Sequence, residues 1–175
     1  MSKISLRTLH HSDRFEITRF LDNPKIFKNV RDHLPQPYTI QDAINFIDLV
    51  SKEDPQCTFA IQHVDHFVGV IGLKIQDDVH RKSAEIGYWI GEPFWGKGIA
   101  SNAIHQMVSY GFEYLDINRI FAATYEYNLA SMHVLEKNGF IKEGILRKAV
   151  LKNGAFHDEH RFAILKEEFQ VRTTD

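Results

Sequence analysis

A chain of 175 residues with 43% hydrophobic side chains can bury a sizeable core, so disorder is not its default state. A formal net charge of −2, with Lys and Arg scattered along the chain, excludes the global basic field of a nucleic-acid or anionic-membrane binder, and no stretch approaches the ~18 apolar residues of a membrane span. The single cysteine, Cys57, excludes an internal disulfide framework and fits a reducing compartment. With no signal-like apolar run after Met1, the expectation is one cytoplasmic domain over residues 1–175.

Residues 4–9 alternate as a short strand, and Phe15, Ile17, Phe20 and Leu21 mark a short helix that Asn23-Pro24 breaks. Residues 28–37 read as a turn-rich connection of binding-loop length, carrying Lys28, Asn29, Arg31, Asp32 and His33; a plain solvated connector explains the composition equally well. Thr39 and Asp42 form a capping box with Asp in place of Glu, opening a helix to about Lys52. From Cys57 the period becomes two, and Val64-Asp65 turns the chain into a second strand ending at Ile75. His63 and His66 flank that turn as exposed residues rather than metal ligands, and Cys57 reads as a small core residue.

Ala84-Glu85-Ile86-Gly87-Tyr88-Trp89-Ile90 is a third strand, with Glu85, Gly87 and Trp89 on one face and Ile86, Tyr88 and Ile90 on the other. After the loop Trp95-Gly96-Lys97-Gly98-Ile99-Ala100, apolar residues recur at four-residue steps to Leu115, the strongest helix in the chain. A strand over 119–125 follows. Asn128 then caps a helix whose inward residues are Leu129, Met132 and Leu135, with Gly139 just past its end. Asn153-Gly154 is a type I′ hairpin signal between two closing strands. The order β, α, α, β, β, β, α, β, α, β, β describes an α+β domain: a mixed, mostly antiparallel sheet flanked by helices, with one strand–helix–strand crossover.

The loop at that crossover combines glycines with a helix start, which suits a phosphate-bearing ligand. It is not a nucleotide P-loop, because Gly98 stands where the Mg²⁺-binding hydroxyl belongs. It is not a dinucleotide fingerprint either, because Ser101 replaces the third glycine. Gly96 and Gly98 alone leave an ordinary glycine-rich turn open.

The wider set of motifs resembles the GNAT acetyltransferase superfamily, in particular the branch of ribosomal-protein-alanine N-acetyltransferases. The residues that carry the resemblance are Ala84-Glu85-Ile86-Gly87-Tyr88-Trp89-Ile90, Phe94-Trp95-Gly96-Lys97-Gly98-Ile99-Ala100, Asn128-Leu129-Ala130-Ser131, Leu135-Glu136-Lys137-Asn138-Gly139-Phe140, Gly144-Ile145-Leu146-Arg147 and the Asn153-Gly154 hairpin. The resemblance implies the GNAT acyl-CoA N-acyltransferase fold and acetyl-CoA as co-substrate, with no metal. It implies that Trp95, Gly96, Lys97, Gly98, Ile99, Ala100 and Ser101 cradle the pyrophosphate. It also implies that the edge at Tyr88, Trp89 and Ile90 pairs with the pantetheine arm as an added strand, and that Asn128, and Ser131 beside it, contact that arm. Trp95 replaces the superfamily's usual Gln or Arg, so that polar contact is absent. Lys97 either adds charge at a phosphate or is solvated, and Asn128 serves the helix cap in either case.

Acetyl transfer requires deprotonating an amine, a donor for the tetrahedral oxyanion and neutralisation of a leaving thiolate. By the same resemblance Glu85 is the base, directly or through a water, with pairing to Arg81 or another surface cation as its alternative. The superfamily's usual Tyr is Leu135 here, which cannot donate a proton. Ser131 is the acid of this branch, or else only supports the cap. Arg31, Asp32 and His33 are the acceptor-side candidates. The expected reaction moves the acetyl group of acetyl-CoA to a primary amine in a ternary complex, with a protein N-terminal amine as the leading acceptor. A small-molecule amine (polyamine, amino acid or drug) and a non-catalytic acyl-CoA-binding module are the alternatives. Neither nucleic acid nor membrane is an expected partner, and the branch makes a homodimer an expectation.

Overall fold

A computed structural model describes residues 4–174, the side chains of 172–174 excepted. In chain order the elements are β1 (Ile4–Arg7), α1 (Arg14–Leu21), α2 (Pro24–Phe27), α3 (Ile40–Val50), β2 (Thr58–His63), β3 (His66–Ile75), β4 (Ser83–Ile90), α4 (Ile99–Tyr114), β5 (Arg119–Tyr125), α5 (Leu129–Lys137), β6 (Ile141–Lys152), β7 (Ala155–Leu165) and α6 (Lys166–Thr174). The seven strands order as β1-β2-β3-β4-β5-β7-β6. β4 and β5 pair in parallel, and β1-β2, β2-β3, β5-β7 and β6-β7 pair antiparallel. No helix among the described residues is long and apolar enough to cross a membrane. The chain clusters into two compact units: one runs up to Gly72 and resumes over Tyr88–Ala103, and the second covers Leu73–Gly87 and the chain from Ile104.

The first unit packs Ile17, Phe20 and Leu21 of α1, Ala43 and Ile47 of α3, and Phe67 and Val70 of β3 into one apolar cluster, joined by Trp89 and Phe94. Phe20 sits 6.4 Å from Phe67 in a stacked arrangement and 5.8 Å from Phe94 edge-on, contacts worth more than their buried area alone. The capping box forms as expected: the Thr39 N–H donates to Asp42 Oδ2 at 2.8 Å and the Asp42 N–H to Thr39 Oγ1 at 3.3 Å. α3 stops at Val50 rather than Lys52, and β1 ends at Arg7 rather than Leu9. Cys57 lies one residue before β2 and is half-buried, so it is not the fully enclosed strand residue expected.

Two helices are additions to the expected order. α1 ends at Leu21, ahead of Asn23-Pro24 as expected, and Asn23 also caps α2: its Oδ1 accepts from the Lys25 N–H at 2.9 Å, and Pro24 takes the first helical position, where its missing N–H costs nothing. α6 carries one buried anchor, Phe169, packed against His105 at 5.3 Å and Phe112 at 5.9 Å. Leu129 is 70% exposed, against the expectation that it faces inward, while Met132 and Leu135 are buried. Asn153 (φ 51°) and Gly154 (φ 79°) form the expected left-handed pair between β6 and β7.

A bidentate ion pair fastens β1 to the chain entering α1. Arg7 donates to Asp13 Oδ2 at 2.8 Å and Oδ1 at 2.7 Å, and to Gln62 at 2.9 Å; the His10 N–H adds a third bond to Asp13 at 2.8 Å. Asp13 is only 5% exposed. Burial pushes its carboxyl up, but the Arg7 guanidinium and the His10 N–H together hold it below the usual carboxylate range. Asp13→Asn should therefore lose about 2–3 kcal/mol near neutral pH, at the lower end for a broken buried pair because Arg7 is partly solvated. A group whose folded pKa is depressed stabilises the fold above its unfolded pKa, and that stability disappears as pH falls through the folded value. The Tm gap between the two proteins should be constant from pH 7 to 5 and close below about pH 4, as read by thermal melts at stepped pH.

Candidate active site

In the first unit β4 ends beside β3. The Gly91 N–H donates to Val68 O at 2.8 Å, and a Cβ on Gly69 would lie 2.2 Å from Trp89 O, so residues 89 and 91 turn their backbone groups toward β3. Strand alternation directs those of Tyr88 and Ile90 to the opposite side. The Ile90 carbonyl there accepts the Trp95 indole N–H at 2.7 Å. The loop is thus tied to the strand edge by the Trp95 side chain, a contact that the sequence did not reveal. Trp95 remains 44% exposed.

Gly96 (φ 72°) and Gly98 (φ 73°) both adopt left-handed backbone, and nothing lies within 4 Å of a Cβ built on either. Left-handed backbone just before a helix start is a geometry that can present N–H groups to an anion. Lys97 is exposed, with Nζ donating to Pro93 O at 3.0 Å and lying 5.5 Å from the Phe94 ring centroid, so its ammonium is turned back onto its own loop. Glu92, one turn earlier, bonds Asn23 Nδ2 at 2.8 Å and pairs with Lys25. Those contacts hold its carboxyl below the usual range, the Lys25 bond first. They also couple the loop to the segment that follows α1, a link the sequence did not reveal.

That segment is pinned by Val30 and Leu34 against the core and by buried Ile26 and Tyr38. The Tyr38 phenol is pushed up to about 12 by desolvation and Asp42, so it stays protonated. Arg31, Asp32 and His33 form an exposed turn between these anchors.

In the second unit the parallel ladder of β4 with β5 covers three pairs, Ser83↔Arg119, Ala84↔Ile120 and Glu85↔Phe121. Glu85 is the last residue it holds. β5 continues to Tyr125 with β7 alongside, so that Phe121, Ala123 and Tyr125 oppose Ala163, Arg161 and Glu159 on the Glu85 face. The other face, with Ile120, Ala122, Phe162 and Ile164, is buried; Glu85 and Phe121 are half-buried. The Glu85 face carries charges already matched in pairs: Arg119 donates to Glu143 at 2.7 and 2.6 Å, and Arg161 reaches Glu159 at 2.7 Å. Each guanidinium carbon lies 5.8 Å from the Phe121 ring centroid. Beyond the end of β5, His157 contacts Glu126 at 2.8 Å.

Asn128 opens α5 as expected, its Oδ1 accepting from the Ser131 N–H at 3.2 Å. The cap uses the oxygen, so what Asn128 can offer an arm carbonyl is its Nδ2 donors. Ser131 is half-buried, and Leu135 is wholly buried, leaving no proton donor at that position. Cap and ligand roles separate by substitution. Asn128→Asp should retain the cap while removing the donors, raising the KM for acetyl-CoA about 2–10-fold with Tm unchanged; Asn128→Ala should add a loss of about 1 kcal/mol. Steady-state kinetics with thermal melts read both.

The sequence matches the Acetyltransferase (GNAT) domain family over residues 3–141. The chain belongs to the GNAT acetyltransferases and is an acetyl-CoA-dependent N-acetyltransferase. The N-acetyltransferase p20 of Bacillus licheniformis, itself uncharacterized, is 31% identical over 173 residues, 95% of each chain. The ribosomal-protein-serine acetyltransferase of Escherichia coli is 33% identical over 105 residues, 60% of this chain and 58% of that one. The spermidine N(1)-acetyltransferase of Vibrio cholerae is 27% identical over 177 residues, 98% of each. A crystal structure of spermidine N-acetyltransferase from that organism, in complex with CoA and spermine, shares the fold with a TM-score of 0.82, covering 95% of this chain and 98% of that one at 24% identity.

Proposed function

We propose that the acceptor is the α-amine of a protein N-terminus and that Glu85 is the base that deprotonates it. Charge matching on the Glu85 face carries this reading. A polyamine site needs spare carboxylates spaced to meet several ammonium groups, whereas Glu143 and Glu159 are each held by an arginine. One amine flanked by aromatic and apolar surface fits such a face better than a polycation.

In this scheme Glu85 takes the amine proton directly or through one water, and the neutral nitrogen attacks the thioester carbonyl carbon. Backbone N–H groups of β4 bond the oxyanion. As the carbon–sulfur bond breaks, the adduct nitrogen gives up its second proton to solvent, and the leaving thiolate takes a proton from the Ser131 hydroxyl, which solvent restores, giving an amide and CoA thiol. Gly96, Lys97, Gly98, Ile99, Ala100 and Ser101, with Trp95 bracing them, hold the pyrophosphate; Tyr88, Trp89, Ile90 and Asn128 hold the arm; Arg31, Asp32 and His33 face the acceptor. The lone Cys57 suits the reducing cytoplasm, and the related branch suggests a homodimer.

The polyamine alternative draws on the full-length similarity to the spermidine enzyme. Thiol release measured across N-terminal peptides, spermidine, free amino acids and aminocyclitols separates the two. Peptides should exceed spermidine in kcat/KM by about tenfold or more, and a preference for spermidine would overturn the reading.

A further inference from the structure

Of the ten glycines, eight sit where a Cβ would be crowded or φ is positive, and a ninth, Gly144, has open surroundings but sits at a strand irregularity. A Cβ would lie 2.2–3.1 Å from its nearest neighbour at Gly69, Gly72, Gly91 and Gly111. Gly96, Gly98, Gly139 and Gly154 have positive φ, and Gly144 follows a register shift in β6. Gly87 is the exception. It lies inside β4 without a positive φ, it is exposed, and nothing comes within 4 Å of a Cβ built on it. Glycine weakens a strand interior, because it carries the largest backbone entropy loss and contributes no packing. The fold gains nothing from glycine at position 87.

Gly87 stands two residues beyond Glu85 on the same strand and on the same face, roughly 7 Å along it. A side chain here would fill the space beside the carboxylate that an incoming amine and its attached carbon must cross. We propose that Gly87 is the clearance residue of the acceptor site, kept without a side chain so that an amine on a branched carbon can reach Glu85. The inference rests on the N-terminal-amine reading. An N-terminal residue other than glycine carries two carbon substituents on its α-carbon, whereas a polyamine presents an unbranched CH₂.

The test uses Gly87→Ala and Gly87→Val against two peptides that differ only in an N-terminal Gly or Ala, with spermidine as a third acceptor. Tm and the calorimetric Kd for acetyl-CoA are measured alongside. For Gly87→Ala we expect kcat/KM to fall about tenfold on the Ala peptide and to stay within about twofold on the Gly peptide; Gly87→Val should lose tenfold or more on both. Acetyl-CoA affinity should be unchanged, and Tm equal to or above that of the parent. Equal kinetics in all three proteins, or a fall in Tm that accounts for the lost rate, would overturn the inference. A parent enzyme that acetylates spermidine and neither peptide would overturn the N-terminal acceptor instead. Gly87 is then judged on spermidine, where a tenfold loss in Gly87→Val supports clearance and an unchanged rate refutes it.

Discussion

Glu85→Gln should lower kcat for acetyl transfer by about 10²–10⁴-fold, the range that positioned general bases supply, and leave the Kd for acetyl-CoA within twofold of the parent value if Glu85 acts as the proposed base. Glu85 occupies the end of the β4–β5 ladder opposite Phe121, half-buried, on the open face of the second unit. Gln keeps the shape and the acceptor oxygen while losing the ability to take a proton, so the substitution should preserve strand pairing and remove the proposed base. The deficit also has a pH signature. An α-amine loses its own proton near pH 8, so the gap between the proteins should narrow as pH rises past that value and solvent replaces the carboxylate. Stopped thiol-release assays from pH 6 to 9.5 read it. A lower Tm with intact kcat would mean that Glu85 serves the fold as the partner of a cation, and identical slow turnover by both proteins would favour a non-catalytic acyl-CoA-binding module.

How far the sequence carries depends on how local each feature is. The Thr39–Asp42 box, the Asn128 cap and the Asn153-Gly154 turn are made by residues within three positions of one another, and each forms as read. The two faces of β4 follow from alternation alone. α2 was hidden because Asn-Pro serves equally as a breaker and as a cap followed by a first helical residue. α6 was hidden because its one apolar anchor, Phe169, gains meaning only against Phe112 and His105. Leu129 misled because the first turn of α5 is solvated even though its spacing matches Met132.

The site divides the same way. The glycines and helix start marked the loop in the sequence, and the family resemblance singled out Glu85. The matching of Arg119 with Glu143 and of Arg161 with Glu159 depends on strand register and on side-chain direction, which spacing does not supply. The Trp95–Ile90 bond belongs to the same class: the residue was visible in the sequence, while its target was set by the path of the loop. On the proposed reading acceptor choice rests on the pairing of these arginines and glutamates, so the chemistry could be read from the sequence while the substrate could not.

The loop itself yields the second large effect. Gly98→Ala should weaken acetyl-CoA binding about tenfold or more, measured as Kd by calorimetry, and cost about 1–2 kcal/mol of stability, because an L-residue is strained in left-handed backbone. Nothing within 4 Å opposes the new methyl group, so the stability loss comes from the backbone alone. The binding loss has a different origin. Relief of the strain rotates the peptide and turns its N–H away from the anion, and a phosphate that loses one charge-assisted donor gives up about 1.5–3 kcal/mol. Gly154→Ala is the control, since Gly154 has nearly the same φ, 79° against 73°, and equally open surroundings at the β6–β7 turn. It should pay the same strain and leave acetyl-CoA affinity unchanged. If the two variants lose affinity alike, the effect is general destabilisation and the loop is not the pyrophosphate grip. If Gly98→Ala alone loses it, the two left-handed glycines serve the ligand as well as the turn.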